Sequence, residues 1–205
     1  MKKARTLTKE VQQNITPEMA MDMLINGNKR FVEKTFLVRD FDEQIEITKD
    51  AQAPFAVTLS CIDSRVSARL IFDLGIGDMF SVKIAGNIVN KDVLASLEYS
   101  CKVAGAKIIV VLAHTKCGAV TAACNNFKLG NITSLLEKIK PAIDKVNLKK
   151  ITDDSINQVS IENAKYAIEK IRNESKLLFE MEKNNEIKLV GAMYDVSNGM
   201  VKFLL

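Results

Sequence analysis

The sequence predicts an α/β fold: a central, mainly parallel β-sheet flanked by helices, with an N-terminal helical arm and a C-terminal antiparallel hairpin. Three observations predict it. From residue 54 onward, short apolar runs alternate with stretches of helical periodicity, the pattern of strands joined by crossover helices. Ile108-Ile-Val-Val-Leu112 is the most continuous β-branched run in the chain, as expected of a strand buried on both faces. The chain closes on strand, turn and strand, with Ser197-Asn-Gly199 at the turn.

Each element has a local cause. Thr16-Pro17-Glu18 signals a first helix, Thr16 as N-cap and Pro17 at its first position. Met19, Met23, Leu24 and Phe31 share one face of it. Val38 to Asp50 is charged and reads as a linker or short helical turn, so residues 1–50 form an arm suited to packing on a partner subunit. Phe55–Ser60, bounded by Pro54, is a buried strand, and Ser67–Leu74 a helix stopped by Gly75 and Gly77. Asp78–Ile84 is a second strand ending at Ala85-Gly86-Asn87. Lys91–Ala104 is helical through Val93, Leu94, Leu97 and Val103, with Gly105 as its stop. After the Ile108–Leu112 strand come helices at Gly118–Asn125, at Ser134–Val146 with Pro141 as kink or boundary, and at Ile156–Asn184. Strands at Ile187–Tyr194 and Met200–Leu204 finish the fold. No repeat or low-complexity linker interrupts the chain, so 1–205 reads as one domain with 51–205 as its core.

Composition narrows the function classes. At 205 residues, 47% hydrophobic and 26% charged, the chain can bury one sizeable core. A net charge of +4, with Lys and Glu interspersed, excludes nucleic acid as a partner. No apolar run approaches the ~20 residues that span a bilayer, which excludes a membrane role. The N-terminus has basic residues without an apolar stretch behind them, so a cytoplasmic location is expected. Cysteines are then thiols rather than disulfides. Cys101 and Cys124 lie in apolar-periodic stretches and read as small buried hydrophobes.

The other two cysteines carry chemistry. The only histidine, His114, stands three residues before Cys117, and Cys61 follows the Phe55–Ser60 strand. Two thiolates and an imidazole supply three of the four positions of a tetrahedral zinc site. In parallel sheets ligands bind beyond the carboxyl ends of strands. If the strands before Cys61 and His114 are neighbours, both side chains meet there, and Cys117 closes the site from a helix N-terminus that favours a thiolate. Gly118 lets the backbone come close to a bound group. Asp63 and Arg65, two residues apart, read as an ion pair whose guanidinium holds the carboxylate off a metal. The competing reading makes the thiols core residues, His114 a satisfied buried histidine and the ion pair a loop brace. Two motifs at successive strand ends, one holding the sole histidine, favour the metal.

Cys61-Ile-Asp-Ser-Arg65 followed by His114-Thr-Lys-Cys-Gly-Ala-Val120 resembles the β-class carbonic anhydrases. The resemblance continues through Ile84–Asn90 and Ser96–Val120, and more weakly through Leu135–Ile143 to Gly191–Gly199. It implies reversible hydration of CO2 to bicarbonate and a proton, with one Zn2+ per subunit on Cys61, His114 and Cys117. Zinc lowers the pKa of its bound water towards ~7, which supplies hydroxide at neutral pH. The resemblance makes Asp63 and Arg65 the catalytic dyad that orients the hydroxide. It gives Gln52 a hydrogen bond to substrate, Phe80 and Ala85 the apolar CO2 pocket, and Gly118 a backbone amide. It also implies a homodimer or homotetramer, the N-terminal helix being the candidate for exchange between subunits.

Departures from the family pattern refine this. Thr58-Leu59-Ser60 stands where a noncatalytic bicarbonate pocket has Trp-x-Gly, which implies an Asp63 that stays paired with Arg65. Lys83-Ile84 replaces a common Arg-Asn, and Ala113 a frequent glycine. With His114 on the metal, the proton must leave by water, Asp63, Tyr99, another carboxylate or buffer. The same centre also suits CS2 or carbonyl sulfide hydrolysis, or a noncatalytic zinc or bicarbonate-binding protein.

Overall fold

Two neighbouring strands organise the molecule: β1 (Ala56–Ser60) and β3 (Ile108–His114), every residue of both buried. The structure is a computed structural model that describes Ala4 and residues 6–204. The first residues of the N-terminal arm, 1–3 and Arg5, lie outside that range. The remaining strands are β2 (Met79–Lys83), β4 (Lys188–Tyr194) and β5 (Val201–Leu204). They form one sheet in the order β2-β1-β3-β4-β5, parallel throughout except for the antiparallel β4–β5 pair. The mainly parallel sheet and the closing antiparallel pair are as the sequence predicts.

Strand periodicity sorts the side chains onto two faces. Val57, Leu59, Ile109, Val111 and Ala113 point to one, where they pack with α5 (Lys91–Glu98), α9 (Asp153–Glu174) and α10 (Lys176–Lys183). Ala56, Ile108, Val110 and Leu112 point to the other, against α2 (Pro17–Glu33) and α4 (Ala68–Ile71). Each fully buried Leu or Ile among them contributes about 1.5–3 kcal/mol. The chain leaves β1 by α4 on one face and returns to β3 by α5 on the other. The strand order therefore reverses between β1 and β3, and beyond such a switch point doubly wound sheets bind ligands.

Where the sequence predicts one helix with a kink or boundary at Pro141 stand α7 (Gly130–Leu136) and α8 (Lys140–Val146), and four further elements differ from expectation. Residues 41–48 form a helix, α3 (Phe41–Thr48), because the Asp40 side chain accepts from Glu43 N at 3.0 Å and caps it. A short helix, α1 (Lys9–Gln13), precedes it, with Gln12 buried. The helix from Lys91 widens into a π turn at Tyr99–Val103 before Gly105. The long helix expected over 156–184 breaks at Ser175, whose hydroxyl caps α10 by accepting from Leu178 N and also donates to Glu98 at 2.5 Å.

Helix α2 belongs to the core of its own chain. Ala20, Met21 and Leu24 are buried against Phe55, Phe72 and Val110. The approach is so close that a Cβ on Gly27 would lie 1.9 Å from the Phe72 carbonyl oxygen. Asn28 then ties three segments together: it donates to Ile71 O and Gly199 O and accepts from Val201 N at 2.8 Å.

Candidate metal centre

The register of β1 and β3 sets the centre. Ser60 lies opposite Leu112, so Cys61 and His114 leave the sheet at the same edge. Cys117 is the N-cap of α6 (Gly118–Cys124), reached through a turn in which Lys116 adopts a left-handed φ of 54°. The ligand atoms of Cys61, His114 and Cys117 all lie within 4.8 Å of one another, and all three residues are buried. Tetrahedral coordination with Zn–S bonds of about 2.3 Å places two sulfurs about 3.8 Å apart. Here they are 3.9 Å apart.

The donor set fits a divalent metal on its own chemistry. His114 is fully buried, its Nδ1 lies 2.9 Å from Thr115 O, and its Nε2 has no hydrogen-bond partner. An Nδ1–H donated to that carbonyl leaves a lone pair on Nε2, the form in which histidine ligates. The two thiols compete for ionisation. A hydrogen bond from Cys117, with smaller contributions from His114, Gly86 and Asp63, pulls Cys61 down to about 4 against its burial. Cys117 is pushed up, first by donating to Cys61 and then by burial, although the amides of Val120 and Ala119 act the other way. Two sulfurs sharing one proton over a buried imidazole lone pair are what a soft cation converts to two thiolates.

Asp63 stands beside this triangle, its Oδ2 3.9 Å from His114 Nε2. Arg65 holds it at three points: its Nη2 donates to Oδ2 at 2.8 Å, and its Nε and backbone N donate to Oδ1 at 3.0 and 2.9 Å. The Arg65 side-chain hydrogen bonds are the largest cause lowering the Asp63 carboxyl to about 2, so it is an acceptor at neutral pH. Lys83, at the end of β2, donates to Val66 O at 2.6 Å and approaches Asp63 O at 3.5 Å. That lysine ties the loop carrying the pair to the sheet edge.

The remaining expected residues divide in two. Ala85 is half-buried in the turn after β2, and Gly118 begins α6 with no atom within 4 Å of where a Cβ would stand. Gly118 adjoins Cys117 and leaves open space, and Ala85 adjoins Gly86, which bonds Cys61. Gln52 and Phe80 do not. Gln52 is exposed and precedes the start of β1, whereas Cys61 follows its end. Phe80 pairs with Val57, also towards the far end of the strand, and its ring meets that of Tyr99 edge-on at 6.3 Å. At about 3.3 Å of rise per residue, the five residues of β1 set its two ends roughly 15 Å apart. One contact the sequence did not reveal is Gly86, whose amide donates to Cys61 Sγ at 3.4 Å. The only sign of it was a glycine following a strand end.

Fold and centre together define a class: an open, mainly parallel α/β sheet carrying a Cys-His-Cys group where the strand order reverses. Residues 56–201 match the carbonic anhydrase family. The chain is similar to the carbonic anhydrase of Mycolicibacterium smegmatis, at 39% identity over 137 residues, 63% of this chain. The match spans 66% of that curated relative, just under two thirds of its length. In fold it is similar to the β-carbonic anhydrase CafA of Aspergillus fumigatus, with a TM-score of 0.74, 23% identity and 90% of each chain covered. It is likewise similar to the tetrameric β-carbonic anhydrases of Sordaria macrospora, with a TM-score of 0.72, 20% identity, and 91% and 94% of the two chains covered. The chain belongs to the carbonic anhydrase family.

Proposed function

We propose that the chain catalyses the zinc-dependent, reversible hydration of CO2 to bicarbonate and a proton. The observation that carries the reading is the buried Cys61–His114–Cys117 triangle with the Asp63 carboxylate 3.9 Å from the unpartnered His114 Nε2. Cys61, His114 and Cys117 hold the zinc, one ion per chain, which when bound acidifies water and supplies hydroxide at neutral pH. Asp63 Oδ2 accepts a hydrogen bond from the attacking oxygen and fixes its orientation. Arg65 occupies both carboxylate oxygens, which keeps Asp63 ionised and restrains it from swinging onto the ligand triangle. The space beside Ala85 and Gly118 receives CO2.

Gln52 and Phe80 reach such a site only from another copy of the chain, since within one copy they lie at the opposite end of β1. The active form is accordingly a homodimer or homotetramer in which one subunit completes its neighbour's pocket. None of the four cysteines is in a disulfide, which is compatible with a reducing, cytoplasmic setting.

The test is zinc content measured together with the rate of CO2 hydration, for the wild type and Asp63→Asn. About one zinc per chain is expected in both. Loss of a preorganised hydrogen bond at the reacting oxygen should lower hydration about 100-fold in the variant. Full activity in Asp63→Asn would remove the pair from the reaction, and a zinc-loaded wild type inert towards CO2 would remove the reaction itself.

A further inference from the structure

Gly86 sits between the metal centre and helix α9, bonded on both sides. Its N–H donates to Cys61 Sγ at 3.4 Å, and its carbonyl accepts from Asn163 Nδ2 at 2.8 Å. The backbone there is left-handed, with φ at 67°, and a Cβ would lie 2.7 Å from Ile139 Cδ1. A side chain there would be strained, yet glycine has the least intrinsic preference for any one conformation. Something else must hold it. Asn163 is only 2% exposed and lies on the longest helix of the chain. Its amide is the side-chain group that fixes the Gly86 carbonyl.

We propose that Asn163 is a positioning residue for the metal: through Gly86 it keeps an N–H aimed at the Cys61 sulfur and so sets how that sulfur binds a cation. Removing the amide leaves a buried carbonyl unpaired and a glycine free to rotate, so the N–H leaves the sulfur. Groups that orient a metal ligand in this indirect way typically change metal affinity by about 10- to 100-fold. Sulfur also changes electronically. Without the N–H its lone pair lies higher in energy, and sulfur-to-metal charge transfer moves to lower energy. The inference rests on Cys61, His114 and Cys117 being metal ligands, but not on the reaction they serve.

The test uses the full chain as wild type, Asn163→Leu and Asn163→Asp, both variants lacking the amide donor. Zinc dissociation constants are measured by chelator competition, and the sulfur-to-cobalt band is recorded on the Co(II)-substituted proteins. A zinc dissociation constant raised about 10-fold or more, together with a cobalt band at longer wavelength, is expected in each variant that retains the wild-type circular dichroism spectrum. Both quantities unchanged within about twofold, against the 10-fold expected, would overturn the proposal. Should neither variant fold, hydrogen exchange of the Gly86 amide in the zinc-loaded wild type decides. Strong protection supports the bond to sulfur, and exchange at the rate of an exposed loop amide overturns it. A wild type that binds zinc but does not hydrate CO2 defeats the proposed function and leaves this inference standing.

Discussion

The two ends of the molecule bury polar groups for opposite purposes. In the N-terminal layer they are spent on the protein itself. Gln12 donates to Pro54 O at 2.6 Å and to Ala104 O at 2.8 Å, Gln44 accepts from Ile76 N at 2.9 Å, and Asn28 bonds three backbone groups. Asp73, with a side chain 1% exposed, receives Arg30 at 2.6 Å and Arg39 at 2.5 Å. Arg39 Nε and Asp78 Oδ1 are the buried side-chain atoms left over there, among the described residues. At the carboxyl edge of the sheet the central group is left open: His114 Nε2 is buried, unpartnered and flanked by two sulfurs 3.9 Å apart. Unpartnered buried atoms occur at both ends, but only at the carboxyl edge does one, His114 Nε2, lie beside two sulfurs as a metal ligand would. The first end is a clamp and the second a receptacle.

Separating the two is a matter of single substitutions. The largest effect belongs to Cys117→Ala, which breaks the ligand triangle. Zinc content should fall from about one per chain to near zero, hydration should fall to the uncatalysed rate, and added zinc should no longer raise the unfolding midpoint. Metal analysis and thermal unfolding with and without zinc check this. Next comes Asp73→Ala, which strands two arginines in a buried site. A destabilisation of about 3–5 kcal/mol is expected. At about 2–4 °C per kcal/mol for a chain this size, the unfolding midpoint drops by roughly 6–20 °C. Zinc stoichiometry measured below the transition should not change; loss of zinc there would join the two ends into one cooperative device. The smallest effect needs no mutation. His114 is the only histidine in the chain, so a metal-bound His114 leaves none to carry protons away. Hydration at saturating CO2 should therefore rise several-fold with buffer concentration, and a rate flat across buffers would show an internal carrier.

Much of this was legible in the chain. The β-branched run at 108–112 and the apolar run at 55–60 report their burial directly, because a strand covered on both faces tolerates no polar alternation. Cys61, His114 and Cys117 were legible for a different reason: residues at strand ends and helix starts inherit their place from the elements beside them. What periodicity hides is any decision made by a distant partner. Ser175 breaks a helix that its neighbours would continue, because Glu98, far away in sequence, rewards the break. Helix α2 reads as a loose arm, yet Gly27 and Asn28 weld it to Phe72, Ile71 and the β4–β5 turn. Gln52 and Phe80 owe their expected roles to the family resemblance alone, and β1 carries the chain the length of the sheet between Gln52 and the centre.

The sequence by itself determined the α/β class, the strands that matter and the three side chains, Cys61, His114 and Cys117, that could hold a metal, because local patterns of burial and side-chain chemistry are written residue by residue. Tertiary structure alone decided that β1 and β3 are neighbours, that Asp63 lies held by Arg65 beside an unpartnered imidazole nitrogen, and that Asn163 reaches Gly86 from a helix 77 positions away. Those are facts of register and of long-range hydrogen bonding. Their energy exists only once the whole sheet has closed, and no short stretch of the chain contains it.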